Sequence, residues 1–123
     1  MNLNQLTITE AHEGLLNKSF SSQELTRACV ARIKERQPTI NAFITLSEDA
    51  ALLQARVTDA RIARGEKVPL MGGIPCAIKD AILVQDIRTT AASKILEHYT
   101  GAYDATVVAK LKAVGAVIVG KNN

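Results

Sequence analysis

The sequence is poor in aromatic residues, in cysteine and in long apolar runs. Two Phe, two Tyr and no Trp among 123 residues leave no series of aromatic platforms on which single-stranded nucleic acid stacks. Cys29 and Cys76 show no Cys-x-x-Cys or Cys/His spacing, which argues against a disulfide framework and against a zinc site. The apolar runs fall far short of the ~20 residues that a membrane helix requires. We therefore expect no nucleic-acid stacking surface, no bound metal and no membrane partner.

The remaining composition is that of one globular domain. Apolar residues make up 47% and charged residues 22% of the chain, and the formal net charge is +3, a balance that is neither disordered nor membrane-spanning. The lysines and arginines are dispersed, so they indicate solvated helix faces better than a basic binding surface. Met1 is followed by polar residues, without the basic start of a secretion signal. We expect a cytoplasmic protein.

Two helix-start signals of the same kind lie near the N-terminus. Thr7 and Glu10 have the spacing of a capping box, in which each side chain binds the backbone N–H of the other residue, and so do Ser21 and Glu24. The first pair predicts a helix over residues 8–17. The second pair predicts a longer helix that follows it directly.

This second helix is predicted to reach Arg36 and to end because of Pro38, which disfavours helical backbone in the residue before it. Its apolar residues recur at helical spacing and form one stripe, which is typical of a face packed on a core: Leu25, Cys29 and Ile33. Residues 1–37 are therefore interpreted as a helical lead-in.

The rest of the chain, residues 42–123, alternates strand and helix signals. The run "NAFITLS" predicts a strand, after which Ser47 is expected to cap a helix that Gly65 ends. Asp104 is expected to cap a later helix, Gly115 to end it, and "AVIV" to form a buried strand. Four apolar residues of the helix after Ser47 are expected to share one face: Ala50, Leu53, Val57 and Ala60. A helix followed by an all-apolar strand indicates the α/β class, because a strand covered on both faces loses polar alternation.

Several patterns resemble functional sites, but simpler interpretations are favoured. Residues 115–121 nearly match a phosphate-binding loop, yet Asn122 replaces the hydroxyl that binds magnesium and a strand-like run replaces the loop. His12 and His98 have no metal-ligand spacing. Ser93 lacks a Gly-x-Ser-x-Gly context and is expected to cap a short helix. Two acidic residues are interpreted as turn residues or ion-pair partners: Asp80 and Asp86.

Lys79 is the strongest candidate for chemistry because it ends an apolar run. If Cys76 to Lys79 is a strand, the ammonium lies at its carboxyl end, where open α/β sheets bind ligands. Burial there would favour the neutral amine, which is a base. The alternative is a lysine that extends from a strand end into water. Asp80 is a poor partner for it, since neighbouring strand residues point to opposite faces.

The stretch "GGIPCAIKD", residues 72–80, resembles the Gly-(Val/Ile)-Pro-x-x-x-Lys-Asp signature of the amidase signature family. The stretches "INAFITL", "IRTTAASKIL" and "YDATVVAKLKAVGAVIVGKNN" resemble the same family in order and spacing. Within it they are most similar to the A subunits of glutamyl/aspartyl-tRNA amidotransferases. The resemblance covers essentially the whole chain and implies N-terminal helices followed by part of a mixed, helix-covered sheet.

In that family a serine nucleophile is activated through a second serine, which is hydrogen-bonded to the motif lysine, and Lys79 matches this lysine. The resemblance implies that Lys79 takes up a proton through the bridging serine while the nucleophile attacks glutamine and ammonia leaves. It also implies B and C partner subunits, with tRNA bound mainly through the B subunit. ATP and magnesium would be used by the B subunit, and this chain would bind no cofactor.

Three departures from the family pattern accompany the match. The Gly/Ser-rich signature with both catalytic serines would follow Asn123, where this sequence stops, and Ala81 and Asn122 stand where the family often has Asn and Thr. We expect residues 1–123 to be the N-terminal part of a single amidase domain, incomplete at its C-terminus and inactive alone. The alternatives are a stand-alone non-catalytic α/β scaffold or partner-binding module, and part of a plain small-amide amidase.

Overall fold

A three-stranded sheet with helices packed on it organises the molecule. The computed structural model describes all 123 residues, and no helix in it has both the length and the apolar character of a membrane span. Short 3₁₀ helices occupy Leu3–Gln5 and Lys94–Leu96. In chain order the main elements are α1 (Ile8–Leu16), α2 (Ser22–Ile40), β1 (Phe43–Leu46), α3 (Glu48–Ala63), β2 (Pro75–Lys79), α4 (Thr106–Ala113) and β3 (Val117–Asn122). The expected α/β class is confirmed.

Both predicted capping boxes are formed. The Thr7 hydroxyl accepts a hydrogen bond from the Glu10 amide at 3.2 Å, and the Glu10 carboxylate accepts one from the Thr7 amide at 2.7 Å. Ser21 and Glu24 make the same reciprocal pair at 3.1 and 2.7 Å. Side chains thus bind amides that the first turn of each helix leaves without a backbone partner.

The predicted end of α2 is wrong, because Pro38 lies inside the helix. Its ring holds φ at a helical value and removes one backbone donor, while the Asn41 amide still bonds to the Gln37 carbonyl at 2.8 Å. Asn41 then leaves the helix with φ of 51°. The Gln37 side chain donates to the Phe43 carbonyl at 2.7 Å and accepts from the Phe43 amide at 3.1 Å, which ties the last turn to β1.

The apolar face that the sequence indicates for α3 is not the face that α3 buries. Leu53 and Val57 are 65% and 63% exposed, and Ala50 and Ala60 are exposed too. The residues that α3 buries are small: Ala51, Ala55 and Thr58. Ala51 and Ala55 pack in one core cluster with residues of α2 and β3, so this inner face has small side chains where helix and sheet approach closely.

The sheet has the strand order β1-β3-β2, with β3 antiparallel to β1 and parallel to β2. Val117 and Val119 pack in the cluster with α2 and α3, whereas Ile118 packs with Val108 of α4. The predicted buried strand is confirmed, and both of its faces are covered. It extends further than "AVIV", through Lys121 to Asn122.

Two predicted helix caps are absent, whereas both glycine stops are confirmed. Ser47 is at the N-cap position of α3 without a side-chain bond, and its amide donates to Val119 of β3 at 2.8 Å. Asp104 precedes the cap of α4, which is residue 105; its carboxylate accepts from the Gln85 amide at 2.8 Å. Two glycines with φ of +74° and +80° follow the ends of α3 and α4: Gly65 and Gly115.

Candidate active site

Lys79 is the last residue of β2, as the sequence predicts, and its side chain is exposed. Its ammonium takes part in no hydrogen bond or ion pair within the chain. The backbone is fixed by the strand on one side and by a turn on the other, in which the Ile82 amide donates to the Lys79 carbonyl at 2.9 Å. The amine therefore extends from a fixed strand end into open space.

Asp80 points the opposite way and is 1% exposed. One carboxylate oxygen accepts from the Thr90 amide at 3.0 Å and from the Thr90 hydroxyl. The other oxygen lies 3.3 Å from the ammonium of Lys121. The Asp80 amide donates to the Asn122 carbonyl of β3 at 2.7 Å. The expectation that Asp80 is an ion-pair partner, and not the partner of Lys79, is confirmed.

Lys121 is a fully buried lysine that the sequence interpretation did not single out as a candidate. Its side chain is 0% exposed, and its ammonium donates to the Thr89 hydroxyl at 3.0 Å in addition to the Asp80 carboxylate. The sequence signal for it was a charged residue at the end of an apolar strand, the same signal that singles out Lys79. Its position after Gly120 favoured comparison with a phosphate loop instead.

Burial and ion pairing shift the pKa values of Lys121 and Asp80 in opposite directions. Burial lowers the pKa of Lys121, and the hydrogen bond and charge of Asp80 offset this only in part. Burial raises the pKa of Asp80, but the hydrogen bonds from Thr90 and the bond and charge of Lys121 outweigh it, so this pKa lies below its ordinary value. The carboxylate is therefore favoured in its charged form.

The segment that binds Asp80 has strained backbone. Ala91 and Ala92 have φ of 50° and 56°, a left-handed conformation that costs roughly 1–2 kcal/mol per residue with a Cβ. The Ala91 amide donates to the Asp80 carbonyl at 3.2 Å, and the Ala92 amide to the Thr90 hydroxyl at 3.2 Å. Strained backbone of this kind clusters at functional sites. We call residues 89–93 the threonine turn.

The threonine turn also borders an open groove of about 400 Å³, between it and β1. Arg88, which directly precedes the turn, reaches β1, donating to the Ile44 carbonyl at 3.1 Å and to the Thr45 hydroxyl at 3.2 Å. These bonds fall at the irregularity in the pairing of β1 with β3. Thr90 and Asn123 are among the lining residues, so the groove adjoins the strand ends beside Lys79.

Ser93 lies in the threonine turn without contacting the buried charges, and the other candidates from the sequence are separate from this cluster. The Ser93 hydroxyl accepts from the Ile95 amide at 3.3 Å and caps a 3₁₀ helix, as expected. Asp86 is a turn residue with φ of 62°. His98 is exposed and His12 half-buried, and no group of three or more His, Cys, Asp or Glu side chains is assembled. The segment 115–121 is a helix end followed by a strand, not a phosphate loop.

Comparison with known proteins places these features in a family. A family model described as Amidase matches residues 24–123. The chain belongs to the amidase family. The match includes β2 with Lys79, the threonine turn and β3 with Lys121, so every residue of the cluster lies in the amidase region.

Curated relatives of this amidase chain are named as the A subunits of glutamyl-tRNA(Gln) amidotransferases. The protein from Geobacter metallireducens is 52% identical over 123 residues, and that from Alkaliphilus metalliredigens is 45% identical over the same length. The protein from Pseudomonas entomophila is 51% identical over 121 residues, 98% of the chain. The chain spans about a quarter of the length of these relatives, 25% in each case.

Solved amidases share the arrangement of the helices and the sheet. Peptide amidase from Stenotrophomonas maltophilia matches with a TM-score of 0.90 at 30% identity, over 97% of this chain and 25% of the other. A vestigial complex related to the origins of an s-triazine catabolic enzyme contains a chain that matches at 0.91 and 33%, over 96% and 26%. The expected fold, helices followed by part of a mixed sheet, is thus confirmed as a segment of an amidase.

Proposed function

We propose that this chain is the N-terminal part of the glutamine-hydrolysing A subunit of a tRNA amidotransferase, with Lys79 as its base. The observation that carries the proposal is the identity of 45% to 52% with amidotransferase A subunits along the whole chain. The solved peptide amidase is only 30% identical over a comparable length. The match to the Lys-Asp signature at residues 79 and 80 supports the role of Lys79.

The reaction requires a proton path that ends at Lys79. Enclosure of Lys79 by the family's Gly/Ser-rich segment would favour its neutral amine. This amine accepts a proton from a bridging serine, which accepts one from the nucleophilic serine. The serine oxygen attacks the side-chain amide of glutamine, and ammonia leaves from the tetrahedral intermediate. Water then releases glutamate and restores the serine. Both serines belong to the family's Gly/Ser-rich segment, so residues 1–123 alone are expected to release no ammonia.

The proposed assembly follows the same relatives. B and C subunits would join the A subunit, and the ammonia would pass to the B subunit. The B subunit would hold tRNA and use ATP and magnesium to activate the tRNA-linked carboxylate. Such a complex would work in the cytoplasm. This chain supplies Lys79 and the strand ends around it, and its own residues bind no cofactor in this scheme.

The test compares matched lysine variants in a chain continued through the Gly/Ser-rich segment and expressed with the B and C subunits. Lys79→Met should lower ammonia release from glutamine by ~10²–10⁴-fold, the usual effect of losing a general base. Lys79→Arg should lower ammonia release to a similar extent, because arginine does not deprotonate at working pH. Lys67→Met is the control, since Lys67 is also exposed, without a side-chain partner. Near-normal release by Lys79→Met would refute the proposal.

A plain small-amide amidase is the second candidate, favoured by the structural match to peptide amidase at a TM-score of 0.90. The same continued chain distinguishes the two. The A component of an amidotransferase should release ammonia from free glutamine and respond to its partner subunits. A small-amide enzyme should hydrolyse amidated peptides or aryl amides without those subunits, and Lys79→Met should abolish that activity instead.

A further inference from the structure

The direction of Lys79 depends on the residue that follows it. Ile78 and Asp80 are 6% and 1% exposed, whereas Lys79 between them is exposed. Because successive side chains of a strand alternate between faces, anchoring Asp80 inside requires Lys79 to point outward. A strand end that rotates or slips would move the Lys79 amine away from this direction.

Asp80 is anchored from three sides. Its amide bonds to β3 through the Asn122 carbonyl at 2.7 Å, and its carbonyl accepts from Ala91 of the threonine turn at 3.2 Å. Its carboxylate binds Thr90 and the ammonium of Lys121. Of these partners only Lys121 supplies a charge that compensates the buried carboxylate. Without Lys121, the buried carboxylate would be unpaired, and its desolvation cost would favour a conformation in which it contacts water.

Lys121 also holds the threonine turn independently of Asp80. Its ammonium donates to the Thr89 hydroxyl at 3.0 Å, one residue before Thr90 binds Asp80. The residues with left-handed backbone, Ala91 and Ala92, come immediately after Thr90 in the chain. Two anchors on consecutive threonines therefore fix the start of a segment whose backbone conformation is unfavourable by itself.

We propose that Lys121 is a positioning residue: its ammonium, between Asp80 and Thr89, locks the end of β2 to the threonine turn and so directs Lys79 outward. This inference rests on the proposed function in one respect, since it takes Lys79 as the base. Lys121 itself contacts no reacting group. It acts on the reaction only through the backbone position of residues 79 and 80.

The first experiment uses this chain alone and measures backbone amide hydrogen exchange by NMR. Lys121→Met removes the charge and keeps a long side chain. Exchange at Thr90 and Ala91 should rise at least ~10-fold more than exchange at Val117, whose amide bonds to Ile74 at the other end of the same strand pair. Lys112→Met, at an exposed ion pair, should leave Thr90 and Ala91 unchanged.

A milder variant covers the case in which Lys121→Met does not fold. Thr89→Val removes the hydroxyl that accepts from Lys121 at 3.0 Å and donates to the Ile87 carbonyl at 3.3 Å, and it should give the same local pattern with a smaller amplitude. An equal rise at all three amides, in either variant, would show a general effect on stability and overturn the inference. Unchanged exchange at Thr90 and Ala91 would overturn it as well.

The second experiment uses the continued chain with its partner subunits, in single turnovers with enzyme in excess over glutamine. Because folded enzyme stays in saturating excess, partial unfolding leaves the rate constant of ammonia release unchanged, whereas a misplaced base lowers it. Thr89→Val and Lys121→Met should reduce the rate constant by roughly 10- to 100-fold. Adding Asp80→Asn to Lys121→Met should restore part of the rate, because no buried charge is then left unpaired.

The two proposals fail in different ways. If Lys79→Met keeps the normal rate constant, the proposed function fails, and the positioning role fails with it. If Lys79→Met loses activity while Lys121→Met and Thr89→Val keep the normal rate constant, only the positioning role is refuted.

Discussion

The two lysine–aspartate pairs of the molecule separate the effect of distance from the effect of burial. Lys112 of α4 lies 2.9 Å from Asp104, which precedes that helix, and Lys121 lies 3.3 Å from Asp80 at the sheet end. The side chains of the first pair are 36% and 18% exposed, and those of the second 0% and 2%. Water screens the closer pair, whereas the more distant pair has exchanged its hydration for protein partners. Burial therefore decides which pair the fold depends on.

The strongest test of this contrast breaks the buried pair from one side. Lys121→Met should lower the free energy of unfolding by ~3–5 kcal/mol, because it leaves the Asp80 carboxylate buried without a countercharge. Urea denaturation followed by circular dichroism measures the change. Lys112→Met is the matched control. Equal losses for the two variants would contradict the importance of burial.

Removing both charges of the buried pair sharpens the same comparison. In the double variant Asp80→Asn/Lys121→Met, the carbonyl of the new asparagine side chain can still accept from Thr90, and no ion is buried. The double variant should be more stable than the sum of the two single losses predicts, by a coupling energy of roughly 1–3 kcal/mol. Strictly additive losses in a double-mutant cycle would show that the two side chains do not act as a pair.

Acid should reveal the buried pair through the low pKa of Asp80. A carboxyl whose folded pKa lies below its unfolded value of ~3.9 stabilises the fold fully above that value. The contribution is lost as the pH falls through the lower, folded pKa. Unfolding free energies from pH 6 downward should therefore decline less steeply in Asp80→Asn than in the unaltered chain. Identical slopes would mean that Asp80 is not held in its charged form.

The exposed pair should give the smallest effect. Lys112→Met should cost less than ~1 kcal/mol, as expected for an ion pair in contact with water. This loss should disappear in 1 M NaCl, where the screening length is only about 3 Å, while the loss from Lys121→Met should persist. Urea titrations at low and high salt measure both. A salt-independent loss at Lys112 would indicate that its aliphatic stem, not its charge, stabilises α4.

The parts of the fold that could be predicted from the sequence are those decided within a few residues. Both capping boxes form, since Thr7 and Ser21 need only a glutamate three residues later. The glycine ends of α3 and α4 follow from local backbone requirements. Pro38 and the face of α3 could not be predicted in this way. The first depends on the link of α2 to β1, and the second on the close approach of α3 to the sheet.

In the candidate site, too, features set by neighbouring residues could be predicted, whereas a contact between distant residues could not. Lys79 at a strand end and Asp80 as an ion-pair residue were predicted from neighbouring residues, and the structure confirms both positions. The partner of Asp80 was not predicted, because Lys121 lies on another strand, 41 residues away. Only the parallel register of β2 and β3 brings them together. The role of Lys79 as a base stays a prediction.

The order of the strands has a consequence for synthesis of the chain. β3 follows β1 and β2 in sequence but lies between them in the sheet, so β1 and β2 lack this shared partner until residues 117–122 have left the ribosome. The cluster that joins α1 and α2 draws mostly on residues near each other in sequence and can form earlier. At ~5–20 residues per second, β1 waits for several seconds as an unpaired strand. During that interval the nascent chain consists of a helical hairpin followed by unpaired strand segments. These segments are the ones we expect a chaperone to bind.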